Sequence, residues 1–90
     1  MLKMTVNKLA KETGSFYTPQ AIYKKIKTGK WKPETDITGQ LILPKELEEA
    51  FRRGKKVRWQ RDIISNHSDY AGKHIQWVVW NGEMFGIIKD

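Results

Sequence analysis

Thr18-Pro19-Gln20-Ala21-Ile22-Tyr23-Lys24-Lys25-Ile26-Lys27-Thr28-Gly29 is the stretch on which the reading of the chain turns. Thr18 is a good helix N-cap, and Pro19 suits the first helical position, where its missing N–H and fixed φ do no harm. Gly29 is a natural stop. Between these limits Ile22 and Ile26 fall at i and i+4, which makes one narrow apolar stripe. Gln20, Tyr23, Lys24 and Lys27 point away from it. The spacing predicts a short helix that buries one edge and leaves a polar, basic face to solvent.

Upstream, Thr5 is a second cap, followed by Val6, Leu9 and Ala10 at one-face helical spacing, and Gly14 ends that run. Ser15-Phe16-Tyr17 makes the turn. Two short helices joined by a turn, the second basic on its outer side, read as a helix-turn-helix. In such a unit the first helix braces the second, whose free face fits the width of a DNA major groove. Downstream, Lys30-Trp31-Lys32-Pro33 leads into Ile37-Thr38-Gly39-Gln40-Leu41-Ile42-Leu43, where Thr38-Gly39 suits a turn between two short strands. A hairpin in this place is positioned as a wing. It turns Trp31, Leu41 and Leu43 inward and leaves Lys30, Lys32, Thr38 and Gln40 able to reach phosphates or the minor groove. Pro44 opens a third helix with Glu46, Glu48 and Glu49 near its positive end and Arg52-Arg53 near its negative end. Leu47, Ala50 and Phe51 form its inner stripe, and Gly54 closes it.

Lys55-Lys56 reads as a basic hinge, dividing the chain into a head, residues 1–56, and an extension, residues 57–90. Trp59 to Tyr70 suggests a short helix with Ile63 and Ile64 buried, broken at Ala71-Gly72. His74 to Trp80, Asn81-Gly82 and Glu83 to Lys89 give the clearest hairpin signal, because Asn-Gly favours a type I′ two-residue turn. That turn pairs Trp80 with Glu83, Val79 with Met84, Val78 with Phe85 and Trp77 with Gly86. One face then shows Ile75, Trp77, Val79, Met84 and Ile88, and the other Val78, Trp80, Phe85 and Ile87. A ribbon apolar on both faces does not stand alone in water, so one face is expected to complete a core and the other to meet a partner. Trp77, Trp80, Met84 and Phe85 are the residue types that anchor interfaces, and a homodimer or cooperative oligomer through this hairpin is expected. The fold class expected is α+β: a small winged helix-turn-helix head with a C-terminal β-hairpin extension.

The net charge of +7 becomes informative once it is located. Residues 1–56 hold thirteen Lys and Arg against six Asp and Glu, while residues 57–90 hold four of each. Five lysines and no acid lie between Thr18 and Lys32. A localised basic stripe is the footprint of a polyanion-binding surface. The chain has no Cys, which excludes disulfides and thiolate metal sites. No apolar run reaches the roughly 20 residues that span a bilayer, and no signal-peptide core opens the chain. A cytoplasmic protein of a bacterial host cell, free or nucleoid-associated, is expected, with no membrane, cofactor or metal. His67 and His74 stand in no motif with a nucleophile or metal ligand. His67 with Asp69 reads as an exposed turn rather than an acid–base pair, and a non-enzyme is expected.

Met4-Thr5-Val6-Asn7-Lys8-Leu9-Ala10-Lys11-Glu12-Thr13-Gly14 resembles the opening helix of excisionase-like and MerR-like winged-helix domains. Ala21 to Trp31 resembles their recognition helix and exit turn, and Gly39 to Phe51 their second wing strand and closing helix. The resemblance covers about residues 3–53. It departs from the family in a longer Gly14–Pro19 segment and in a tail from Val57 onward that has no counterpart. It implies a recognition helix in the major groove, with Thr18, Gln20, Tyr23, Lys24 and Lys27 on it, and Lys30, Lys32 and Gln40 on a wing. The function implied is sequence-specific binding of double-stranded DNA, as a phage or mobile-element transcription regulator or an excisionase-like architectural factor. The alternative expectation is a phage-type protein-interaction module or inhibitor that acts on a host protein through the aromatic hairpin.

Overall fold

The side-chain caps form where the sequence places them. Thr5 Oγ1 accepts the Lys8 N–H at 3.1 Å and starts α1 (Val6–Glu12); Thr18 Oγ1 accepts the Ala21 N–H at 3.2 Å and starts α2 (Pro19–Lys27). This computed structural model describes residues 2–14 and 16–89, so Ser15, within the expected turn, lies outside the described residues. Among the described residues the fold is α+β, with two antiparallel sheets and five helices.

A short strand β1 (Lys3–Met4) precedes α1 and pairs with β2 (Leu41–Ile42). Neither the strand nor its pairing was expected. The anticipated first wing strand is absent: residues 30–34 are irregular, and a single bridge joins Thr35 to Leu41. The turn is also longer than Thr38-Gly39. Asp36 organises it, its Oδ1 accepting from the Thr38 N–H (2.9 Å), the Thr38 hydroxyl (2.7 Å) and the Gln40 N–H (2.9 Å). An acidic side chain that bonds backbone two residues on fixes such a turn by itself. Next, α3 (Lys45–Arg52) buries Leu47 and Ala50. Its Glu48 accepts the Leu2 N–H at 2.8 Å and pairs with Arg52 at 3.1 Å, which ties the start of the chain to this helix. The Leu2 amide also holds the Glu48 carboxyl below the usual glutamate range.

The supposed hinge opens a strand. β3 (Lys56–Trp59) alternates outward Lys56 and Arg58 with buried Val57 and Trp59. Two helical pieces follow, α4 (Gln60–Ser65) and α5 (His67–Tyr70); Ile63 is buried, but Ile64, expected inside, is exposed. The hairpin of β4 (His74–Trp80) and β5 (Glu83–Lys89) has the expected register, from Trp80 opposite Glu83 to Trp77 opposite Gly86. Asn81 and Gly82 both have positive φ, 53° and 77°, as a type I′ turn requires. β3 joins this hairpin along β5, giving the order β3-β5-β4.

The core crosses the Lys55–Lys56 boundary without a break. Met4, Leu9, Ile22, Trp31 and Leu47 from the first part lie in one cluster with Val57, Trp59, Val78, Trp80 and Phe85. Its centre is aromatic: Trp31 meets Trp80 at 4.9 Å between ring centres, Trp59 meets Phe85 at 4.4 Å, and Tyr17 meets Trp59 at 4.6 Å. Such tilted and edge-on contacts add to area burial. The indole N–H of Trp59 donates to Thr13 Oγ1 at 2.9 Å, and Thr13 in turn donates to the Leu9 carbonyl at 2.7 Å.

Candidate nucleic-acid interface

The sequence of α2 sorts its side chains by helical angle, and the packing follows. Ile22 is fully buried against the core, Ile26 is half-buried, and Gln20, Tyr23, Lys24 and Lys27 are exposed. These four fall at i, i+3, i+4 and i+7, so they share one face. Lys25 does not belong to it. Its ammonium lies 2.8 Å from Glu83 Oε1 and 4.9 Å from the centre of the Tyr17 ring, locking α2 to the turn of the β4–β5 hairpin. Lys24 and Lys27 have no ion pair among the described residues. Thr18 is exposed but its hydroxyl oxygen is engaged as the cap of α2.

The basic run continues beyond the helix. Lys30 and Lys32 are exposed and flank the buried Trp31. Trp31 anchors the segment, donating from its indole to the Trp80 carbonyl at 3.4 Å. With its amide oriented to suit both neighbours, Asn81 donates to the Lys32 carbonyl at 2.7 Å and accepts from the Trp80 indole at 2.8 Å. The two lysines are therefore presented from a fixed backbone. Gln40 is half-buried at the base of the 35–41 hairpin, and its backbone N–H and C=O are both bonded to Asp36. At the tip of that hairpin Ile37 is entirely exposed beside Thr38. Sequence reasoning passed over Ile37 as a strand residue; the Asp36-x-Thr38-Gly39 turn signature was the available cue.

The expected interface residues divide. Trp80 and Phe85 are corrected to core positions, 8% and 0% exposed, because the face that carries them packs on Trp31 and Trp59. Trp77 and Val79, on the opposite face, are exposed at 44% and 64%, and Met84 is half-buried, its sulfur accepting from the Gln60 amide at 3.3 Å. Part of that outer face is covered by α4. A methyl group at Gly86 would lie 2.5 Å from Ile63 Cδ1 and 2.8 Å from Ile75 Cγ2, which shows how closely helix and sheet approach there.

His67 and His74 are exposed and sit on different elements. Among the described residues no group of three or more His, Asp or Glu is placed to hold a metal ion, and no helix is long and apolar enough to cross a membrane. No protein-family model, curated protein sequence or solved structure matches this chain.

Proposed function

We propose that this chain binds double-stranded DNA as a winged helix-turn-helix protein, with the outer face of α2 in the major groove. The observation that carries the reading is that face itself. Gln20, Tyr23, Lys24 and Lys27 line one side of a capped, braced helix, and the two lysines have no ion pair among the described residues. Lysines so placed neutralise phosphates, and Gln20 and Tyr23 have the chemistry to contact base edges. The 35–41 hairpin serves as the wing, with Lys30 and Lys32 on the irregular segment that leads into it. The biological setting proposed is regulation or DNA architecture in a phage or mobile element.

The test is DNA retention as a function of salt. Binding is expected to weaken steeply as salt rises, and Lys24→Ala with Lys27→Ala should lower the logarithmic salt slope by roughly 2 while the fold persists. Unchanged binding by that variant would remove α2 from the interface. A second reading rests on the exposed Trp77 and Val79, which are fitted to a protein surface, either a second copy or a host protein. Salt-independent behaviour on DNA, with a complex lost on Trp77→Ala, would favour it.

A further inference from the structure

A second basic surface lies away from α2. The turn after α3, the outer face of β3 and the end of α5 enclose a cleft of about 500 Å³. Arg53, Lys55, Lys56, Arg58 and Lys73 line it, and among the described residues the carboxylate that borders it is Asp69. Ile88 and Tyr70 also border the cleft, so an ion inside meets apolar and aromatic surface as well as charge. The position follows from strand alternation. Lys56 and Arg58 point outward from β3 because Val57 and Trp59 point into the core. Arg58 is held in place before any ligand arrives: its Nη1 donates to the Glu12 carbonyl at 3.2 Å and to its own Val57 carbonyl at 2.9 Å, and its Nε lies 3.9 Å from Asp62. Lys55 and Lys56 are exposed, with no ion pair among the described residues.

We infer that this cleft binds a phosphate-bearing ligand, independently of the α2 surface. Gathering like charges in a concavity works against folding, and a low-dielectric wall deepens the attraction for an anion that relieves it. The phosphate belongs either to a free phosphorylated molecule, with Tyr70 offering a ring to stack on, or to a DNA backbone. The two basic surfaces sit toward opposite ends of the three-stranded sheet. Lys25 of α2 meets Glu83 at one end of β5, whereas the cleft is at Ile88, roughly 17 Å along the strand at about 3.4 Å per residue. They therefore constitute separate contacts.

Amide chemical-shift titrations of the full chain test this, one with pyrophosphate and one with a short DNA duplex. Saturable shifts at Gly54, Lys55, Lys56 and Tyr70 are expected in at least one of them, and pyrophosphate is expected to leave α2 unshifted. Saturation by pyrophosphate identifies a free phosphorylated ligand, and saturation by the duplex alone identifies the backbone. Lys55→Ala with Lys56→Ala should weaken that binding by roughly tenfold or more, without lowering the Tm of the unliganded chain. Lys24→Ala with Lys27→Ala should leave the response of the cleft to pyrophosphate unchanged, whether or not the DNA reading of α2 holds. No saturable shift at the cleft in either titration, or shifts that survive the Lys55/Lys56 change, would overturn the inference.

Discussion

Thr13 is fully buried and polar, and it stays there because its hydroxyl works in both directions. It donates to the Leu9 carbonyl and accepts from the Trp59 indole. Thr13→Val keeps the shape but strands the indole N–H in the core, and a loss of about 1–3 kcal/mol is expected in denaturant unfolding. A loss near zero would mean that the indole finds another acceptor. Asp36 is the other residue whose bonding exceeds its size. The Thr38 hydroxyl above all, with the Gln40 and Thr38 amides and Lys3, draws its carboxyl from the ordinary 3.8 down to about 2 against a desolvation cost. A depressed folded-state value means that Asp36 supports the turn fully above pH 3.8 and releases it as the pH falls toward 2. Its carboxyl ¹³C titration should therefore have a midpoint near 2, and a midpoint near 4 would show the turn bonds absent in solution. The role of Thr13 was not legible in the sequence, because it ends a helix like any polar residue. Asp36, in contrast, was signalled by the Asp36-x-Thr38-Gly39 pattern, and only its bond to the Gln40 amide needed the structure.

At the scale of the element, legibility followed local chemistry. α1, α2, the start of α3 and the Asn81-Gly82 hairpin were readable, because a cap, a proline or a positive-φ turn is decided within a few residues. The face of α2 was readable for the same reason. The short strand pair β1–β2 and the strand β3 were not. Two paired residues make no periodic signal, and Lys55-Lys56 resembles a hinge until Val57 and Trp59 are seen alternating with Lys56 and Arg58. Splitting the interface residues into core and surface also required β3, since its pairing with β5 and the Trp59–Phe85 contact decide which face of the hairpin turns inward. The covered outer face gives an element-scale prediction. Gly86→Ala places a methyl against Ile63 and Ile75 and should destabilise by about 1–3 kcal/mol through overpacking. Ile63→Val in the same chain should recover part of it. No recovery would locate the strain within the sheet rather than between sheet and α4.

For the whole molecule, the decisive fact is that one core spans both halves of the sequence. The basic first part and the neutral remainder differ in charge, but they share Trp31, Trp59, Trp80 and Phe85. Residues 1–56 alone would uncover Trp31, whose ring packs on Trp59 and Trp80, and that fragment is expected to lack cooperative unfolding by circular dichroism. A fragment with a sharp transition would restore the boundary at Lys55–Lys56. The three buried tryptophans also have an optical consequence. Trp31 stands 4.9 Å from Trp80 and 6.0 Å from Trp59 in fixed, chiral orientations, while Trp77 remains in contact with solvent. Coupled indoles of this kind give an intense near-ultraviolet dichroism that reports the packed core. The emission of Trp77 senses its own surroundings, so the chain carries separate spectroscopic reporters for its interior and for its outer face.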